Sequence, residues 1–168
     1  MKIFFIRRYN DIDHIVPIVY RMAKDGIEDI EVYCTNLKIN LKKDARLNLL
    51  KDNFNLKIEY YHFIKFNKIP YIYTVFARLI LFYNFYFNRD SIFAKKFLNR
   101  LYSKKFINKY FSHECSLNLI DNLKPDVVIL DWQKTQPVLE SFCKVANQRN
   151  IPIIAVPHGL SLGVSQLL

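Results

Sequence analysis

The sequence predicts an α/β protein built on a doubly wound parallel sheet of about five to six strands, with a basic, aromatic helical insertion. Short apolar runs alternate along the chain with segments whose apolar residues recur at helical spacing. The apolar runs are nearly continuous, as in parallel strands that helices cover on both faces. The 168 residues, 51% of them hydrophobic, suffice for one domain with a real core. Residues 1–168 are therefore predicted to form one Rossmann-like domain, interrupted by the insertion at about residues 62–111.

The first half of the chain contains three of the predicted strands. Residues 2–7 form an apolar run and predict the first strand, and Asp11 or Asp13 can cap the helix that follows. Pro17 is compatible only with the first turn of that helix, which ends at Gly26. The remaining elements are a second strand, a short polar helix or turn, and a third strand, at residues 30–35, 44–52 and 56–61.

The second half resumes the same alternation after the insertion. Residues 126–132 predict a fourth strand, and apolar residues between 138 and 146 then recur at helical spacing. The run "IPIIAVP", residues 151–157, predicts a fifth strand that is buried and ends at Pro-His-Gly.

The basic charge of the chain is confined to the insertion. Residues 62–111 contain ten Lys or Arg and one acid, Asp90, whereas the other residues carry fifteen bases and fourteen acids. Residues 69–87 approach the length of a membrane span, but Pro70, Arg78 and Asn84 interrupt them, and an interfacial helix fits the pattern better.

Three interpretations of the insertion stay open. It is a helical segment packed on the sheet with a solvated basic face, a surface that contacts an anionic membrane, or a nucleic-acid surface. The third is disfavoured, and no nucleic-acid partner is expected, because no module signature accompanies the charge.

The cysteines and the N-terminus indicate a cytoplasmic protein. Cys34, Cys115 and Cys143 are odd in number and lack metal-type spacing, so they are interpreted as small core residues of a reducing compartment. The N-terminal residues lack the apolar stretch and cleavage site of a signal peptide. We expect no metal site, and a location at the inner face of the membrane if the insertion binds lipid.

Ligands of doubly wound sheets bind outside the carboxyl ends of the strands. Three polar clusters follow predicted strands, at residues 7–14, 131–136 and 157–163. Glycine is absent before Gly26, so the chain lacks the glycine-rich turn that holds a dinucleotide phosphate, and it has no P-loop. No cofactor is predicted.

His158 is the candidate catalytic residue. A neutral imidazole takes a proton from a hydroxyl that attacks an electrophile, and Gly159 permits the backbone turn beside it. The alternative is a histidine that only hydrogen-bonds across its loop. The candidate substrate-binding residues are Arg8, Asn10, Asp11, His14, Asp131, Lys134 and Gly159.

Some of these candidates have equally simple structural explanations. Asp11 is explained as well by helix capping, and His14 by a solvent-facing position in the first helical turn. The carboxylate of Asp131 either faces the cleft or caps a helix that begins near Thr135.

The opening "MKIFFIRRYNDIDHIVPIVYRMAKDG" and the later "DVVILDW" and "IPIIAVPHG" resemble the N-terminal half of bacterial surface-carbohydrate and capsule biosynthesis proteins. They are similar to GT-B glycosyltransferases and to the CDP-glycerol glycerophosphotransferase group. The resemblance covers most of the chain outside residues 62–111, and its motifs are short. It implies transfer of a sugar or polyol phosphate from a nucleotide sugar or CDP-glycerol-like donor to a glycan or lipid-linked acceptor. His158 would be the base, and the loop after the first strand would line the acceptor side.

Members of this group bind the donor in a second domain, which is expected to be absent from these 168 residues. The chain by itself is therefore not expected to turn over substrate, and it would be a fragment, a half-enzyme with a partner, or a remnant. Two alternatives remain. One is half of a nucleotide-sugar 2-epimerase, and the other is a non-catalytic membrane-peripheral module whose Pro-His-Gly is only a turn.

Overall fold

The computed structural model describes residues 1–63, 113–131 and 137–156, together with residues 75, 78, 79, 82 and 96. In these residues five parallel strands form one sheet with helices on both faces. Along the chain the elements are β1 (Lys2–Ile6), α1 (Tyr9–Lys24), β2 (Ile30–Cys34), α2 (Ala45–Phe54), β3 (Lys57–Tyr60), a 3₁₀ turn (Tyr61–Phe63), α3 (His113–Leu123), β4 (Val127–Asp131), α4 (Pro137–Gln148) and β5 (Ile153–Val156).

The strand order confirms the predicted fold class. The strands lie side by side as β3-β2-β1-β4-β5, so the direction of winding reverses between β1 and β4. Lys2 is the partner of Ile30 in β2 and of Val127 in β4, and every strand pair is parallel. This is the doubly wound, Rossmann-like arrangement, whose ligands bind where the winding reverses.

β1 carries the core of both layers. Phe4 and Ile6 face α1 and α2, whereas Ile3 and Phe5 face α3 and α4, and all four are at most 1% exposed. We call these two sides of the sheet the α1 face and the α4 face. Because β1 is buried on both faces, its apolar run has no polar position, as the sequence predicted.

Phe5 is the centre of an aromatic cluster on the α4 face. Its ring lies 5.6 Å from the Tyr61 ring and 5.2 Å from the Phe142 ring, both edge to face. The Tyr33 ring lies 6.1 Å away. These contacts hold α4 and the 3₁₀ turn against the sheet, with the geometry that aromatic quadrupoles favour.

α1 begins earlier than the sequence predicted. It starts at Tyr9, so Pro17 is its ninth residue and not part of its first turn. Pro17 lacks an N–H for the carbonyl of Asp13, but both residues are exposed and water can bond that carbonyl. α1 therefore accommodates the proline on its solvent side.

Two further findings differ from the sequence predictions. α3 has no counterpart among the predicted elements, although Leu119 and Ile120 pack into the core. β5 is not buried, because it pairs only with β4 among the described strands and leaves Ile154 52% exposed.

The insertion predicted at about residues 62–111 lies mostly outside the described residues. Beyond the 3₁₀ turn, its described residues are helical: Val75, Arg78, Leu79, Phe82 and Lys96. Within the part of the chain that the structure describes, no helix has both the length and the apolar character needed to cross a membrane.

The cysteine burial leads to a prediction about thiol reactivity. Cys34 and Cys143 are buried, and burial raises the pKa of Cys34 to about 12 and the pKa of Cys143 to about 11. Cys115 is only partly buried. Because the thiolate is the reactive form, iodoacetamide should modify Cys115 first in the native protein, and the other two only in denaturant. Peptide mass spectrometry measures the order, and modification of native Cys34 as fast as Cys115 would contradict it.

Candidate functional site

The carboxyl ends of β1 and β2 are tied to each other. The carbonyl of Ile6, the last residue of β1, accepts hydrogen bonds from the backbone N–H of Thr35 at 2.8 Å and from its hydroxyl at 3.3 Å. Thr35 is fully buried. The bonding between β1 and β2 therefore continues one residue beyond the end of β2.

The turn from β1 into α1 is closed in the sense that a carboxylate accepts hydrogen bonds from its backbone N–H groups. Asp11 is 1% exposed, and its Oδ2 accepts the backbone N–H groups of Arg7 and Arg8, each at 2.8 Å. Asp11 lies in the first turn of α1, where a negative charge is favourable against the helix dipole. In dinucleotide-binding domains a pyrophosphate occupies this place. Here the N–H groups of Arg7 and Arg8 are bonded to Asp11 instead.

In the structure Asp11 therefore caps the start of α1, which was the alternative to a substrate-binding role. Asp13, the other expected cap, is exposed and pairs with Arg46. Among the other candidates in this stretch, Arg8 and Asn10 are exposed at the carboxyl edge, and His14 is half-buried in the second turn of α1.

The second half of the edge is formed by β4 and β5. Asp131 and Val156 are the last residues of these strands and are paired with each other. Both strands therefore end at the same level of the sheet. Lys134, His158 and Gly159 lie outside the described residues, and their predicted roles stay predictions.

Sequence reasoning missed a cluster around Arg46. Its Nη2 lies 2.6 Å from Oδ2 of Asp44, its Nη1 pairs with Asp13, and its guanidinium lies 4.5 Å from the centroid of the Tyr9 ring. Asp44 also caps α2 by accepting the N–H groups of Arg46 and Leu47. This cluster joins the first turns of α1 and α2, and the aspartate pairing keeps the pKa of the Arg46 guanidinium raised.

No described cysteine at this edge is suited to nucleophilic chemistry. The thiol of Cys34 donates to the carbonyl of Asn36 at 3.3 Å. Burial raises its pKa, and the negative charge of Asp11 adds to this effect. A thiol in this environment stays protonated and unreactive. Within the described ranges, no group of three or more His, Cys, Asp and Glu side chains could hold a metal ion.

A depression of about 500 Å³ lies at the amino ends of the strands, on the opposite side of the sheet from the polar clusters. Its lining includes Met1, Ile30 and Lys57, which lie at the beginnings of strands. Lys57 pairs there with Glu31 at 3.2 Å. Because parallel sheets bind ligands at their carboxyl ends, the depression is not the candidate site.

Comparisons with known proteins identify no family for this chain. No protein-family model matches the chain, and no curated protein does. Among solved structures, the chain is similar to UDP-GlcNAc 2-epimerase from Neisseria meningitidis bound to UDP-GlcNAc, with 13% identity and a TM-score of 0.47. The similarity covers 99% of this chain and 35% of the epimerase chain, so this chain spans about a third of that protein's length. At this level the similarity says nothing about the reaction.

The closed β1–α1 turn leads to a prediction about stability. Asp11→Ala should lower the free energy of unfolding by about 2–4 kcal/mol, because it removes a cap and leaves two N–H donors without their acceptor. Asp11→Asn, which keeps one acceptor oxygen, should cost less. Urea unfolding measures both.

Asp121→Ala is the matched control. It removes an exposed carboxylate that pairs with Arg149, and it should cost less than about 1 kcal/mol. Equal losses for Asp11→Ala and Asp121→Ala would show that Asp11 has no special role.

The Arg46 cluster leads to a prediction about stability at acidic pH. The hydrogen bond from Arg46 is the main reason that the pKa of Asp44 is lowered in the folded protein. A carboxyl with a depressed pKa stabilises the fold above its unfolded pKa and loses that contribution as the pH falls. The free energy of unfolding should therefore decrease below about pH 5, and Asp44→Asn should flatten this decrease while keeping a capping side chain. Asp52→Asn, at an exposed position on the same helix, controls for the change in net charge, and equal flattening by both variants would contradict the role of the Arg46 hydrogen bond.

Proposed function

We propose that this chain is the acceptor-side domain of a transferase, one that moves a sugar or polyol phosphate from a nucleotide-activated donor to a hydroxyl of a surface-polysaccharide acceptor. The observation that supports it is the closed turn between β1 and α1. Asp11 holds the two N–H groups that a nucleotide's phosphates would need. The domain is therefore better suited to a hydroxyl-bearing ligand, and the donor's phosphates would bind to another domain or to a partner.

The proposed acceptor site lies where the winding of the sheet reverses. On the β1 side, Arg8 and Asn10 are exposed and offer hydrogen-bond donors and acceptors suited to hydroxyl groups. On the β4 side, the chain leaves the sheet at Asp131 and continues towards Lys134. A ligand between them would occupy the crevice at which doubly wound sheets bind their substrates.

His158 is the proposed general base. In the sequence it follows Val156, the last residue of β5, by two residues. The imidazole would take the proton of the acceptor hydroxyl while the hydroxyl oxygen attacks the donor. In sugar transfer the attack is at the anomeric carbon and a nucleoside diphosphate leaves. In polyol phosphate transfer it is at the phosphorus and a nucleoside monophosphate leaves.

The test is His158→Ala in the protein as it occurs in its cells, together with any further domain or partner found there. Loss of the base should lower the transfer rate by about 10²–10⁴-fold, while thermal unfolding stays unchanged. His113→Ala, an exposed histidine at the start of α3 with no proposed role, is the matched control and should keep full activity.

Each alternative has its own signature in the same assay. Undiminished transfer by His158→Ala would remove the catalytic role. Conversion of a nucleotide sugar to its C2 epimer without any acceptor would favour the epimerase alternative. Absence of both activities in the complete native protein would favour a binding module.

A further inference from the structure

Tyr9 is an exposed aromatic residue at the edge of the sheet where ligands bind. It is the first residue of α1, three positions after the end of β1, and it is 60% exposed. In doubly wound sheets the ligand lies outside the carboxyl ends of the strands, which is the edge that Tyr9 occupies. A single exposed aromatic side chain needs no explanation elsewhere on a protein surface, but the ring of Tyr9 is also held in place.

The guanidinium of Arg46 holds the Tyr9 ring. It lies 4.5 Å from the ring centroid, within the distance of a cation–π contact. Arg46 is itself fixed, because the carboxylate oxygens of the buried Asp44 accept hydrogen bonds from its Nε at 3.1 Å and from its Nη2 at 2.6 Å. The aromatic ring therefore has a rigid support on one face and remains largely open to water.

Polar side chains lie on the same side of α1 as Tyr9. Asp13 follows Tyr9 by four residues and Asn10 by three, so the three side chains project from one side of the first turns. Asn10 is exposed, and the Asp13 side chain is 58% exposed although its Oδ1 pairs with Arg46. An amide and a carboxylate beside an aromatic ring provide hydrogen-bond acceptors for hydroxyl groups.

The charges around Tyr9 favour a neutral ligand. The cation of Arg46 faces two carboxylates, those of Asp13 and Asp44, and the exposed Arg8 balances the remaining negative charge. This group of side chains therefore has no excess positive charge to attract a phosphate. An uncharged ring that carries hydroxyl groups matches both the aromatic surface and the acceptors beside it.

We propose that the exposed surface of the Tyr9 ring binds a sugar ring of the acceptor. The C–H face of a pyranose would pack on the aromatic ring, and its hydroxyl groups would donate to Asp13 and bond to the amide of Asn10. That this sugar belongs to an acceptor rests on the proposed function, whereas the contact itself is measured without any donor. Tyr9 positions the sugar and takes no part in proton transfer.

The first measurement is saturation-transfer NMR of the full chain with methyl β-glucopyranoside, methyl β-galactopyranoside and methyl N-acetyl-β-glucosaminide, each compared with glycerol. At least one of the sugars should receive saturation on its ring C–H protons. Glycerol, which has hydroxyl groups but no ring, should receive far less. Absence of saturation in every sugar, or equal saturation of glycerol, would overturn the proposal.

The second measurement separates a binding role of Tyr9 from a structural one. Tyr9→Ala should weaken sugar binding by at least about threefold, and Tyr9→Phe, which keeps the ring, should retain most of it. The matched control is Leu49→Ala, which removes an exposed apolar side chain from α2 and should leave sugar binding unchanged. Thermal unfolding is recorded for each variant. If Tyr9→Ala lowered stability without weakening sugar binding, the ring would only shield Arg46 and the proposal would be wrong.

A third measurement distinguishes this inference from the proposed function. In the complete native protein, Tyr9→Ala should raise the KM for the acceptor and leave kcat and the donor KM unchanged. Sugar binding without any transfer would overturn the proposed function and leave the sugar site standing. Transfer with an unchanged acceptor KM would overturn the sugar site alone. Stronger Tyr9-dependent saturation of uridine or adenosine than of any sugar would identify a nucleoside site instead.

Discussion

Burial of β1 on both faces and both edges is the constraint on which the rest of the structure depends. β2 and β4 pair with its two edges, and helices cover its two faces. A strand in this position has no room for a polar side chain, so residues 3–6 are apolar and polar groups begin only at Arg7. The position of the polar edge along the chain is thus fixed by the core.

This edge has two unlike halves. On the side of β1 and β2, Asp11 bonds the turn into α1 and Arg46 joins α1 to α2, whereas Arg8 and Asn10 are exposed. On the side of β4 and β5, two neighbouring strands end at the same level. In the sequence, the segments that contain Lys134 and His158 follow these two strands. The bonded groups on the β1 and β2 side stabilise the fold, and the proposed base His158 follows the other half in the sequence.

The strands could be predicted to within one or two residues at most ends, because a covered parallel strand requires an apolar run whatever its neighbours are. The start of α1 could not, since it depends on how the Asp11 carboxylate turns back to Arg7 and Arg8. The exposure of β5 depends on the strand order, and the Arg46–Asp13 pair joins residues 33 positions apart. Local pattern carries no information on either. For the candidate site, the missing glycines predicted a turn without the glycine-rich phosphate cradle, and in the structure Asp11 bonds the backbone N–H groups of this turn, whereas the Arg46 cluster left no local signal.

The two faces of the sheet are completed at different times during synthesis. The α1 face draws most of its core from residues 4–58, so this half can assemble soon after its residues leave the ribosome. On the α4 face, Leu119 and Phe142 pack in the same core cluster as Phe5. Pairing of β4 with β1 joins residues far apart in the chain, and the contact from Met1 to Asp126 spans 125 positions. Closing so long a loop is slow compared with local helix formation. The aromatic side of β1 therefore stays exposed to water and to other chains until the last third of the sequence has been synthesised, and exposed apolar surface of this kind is prone to aggregation.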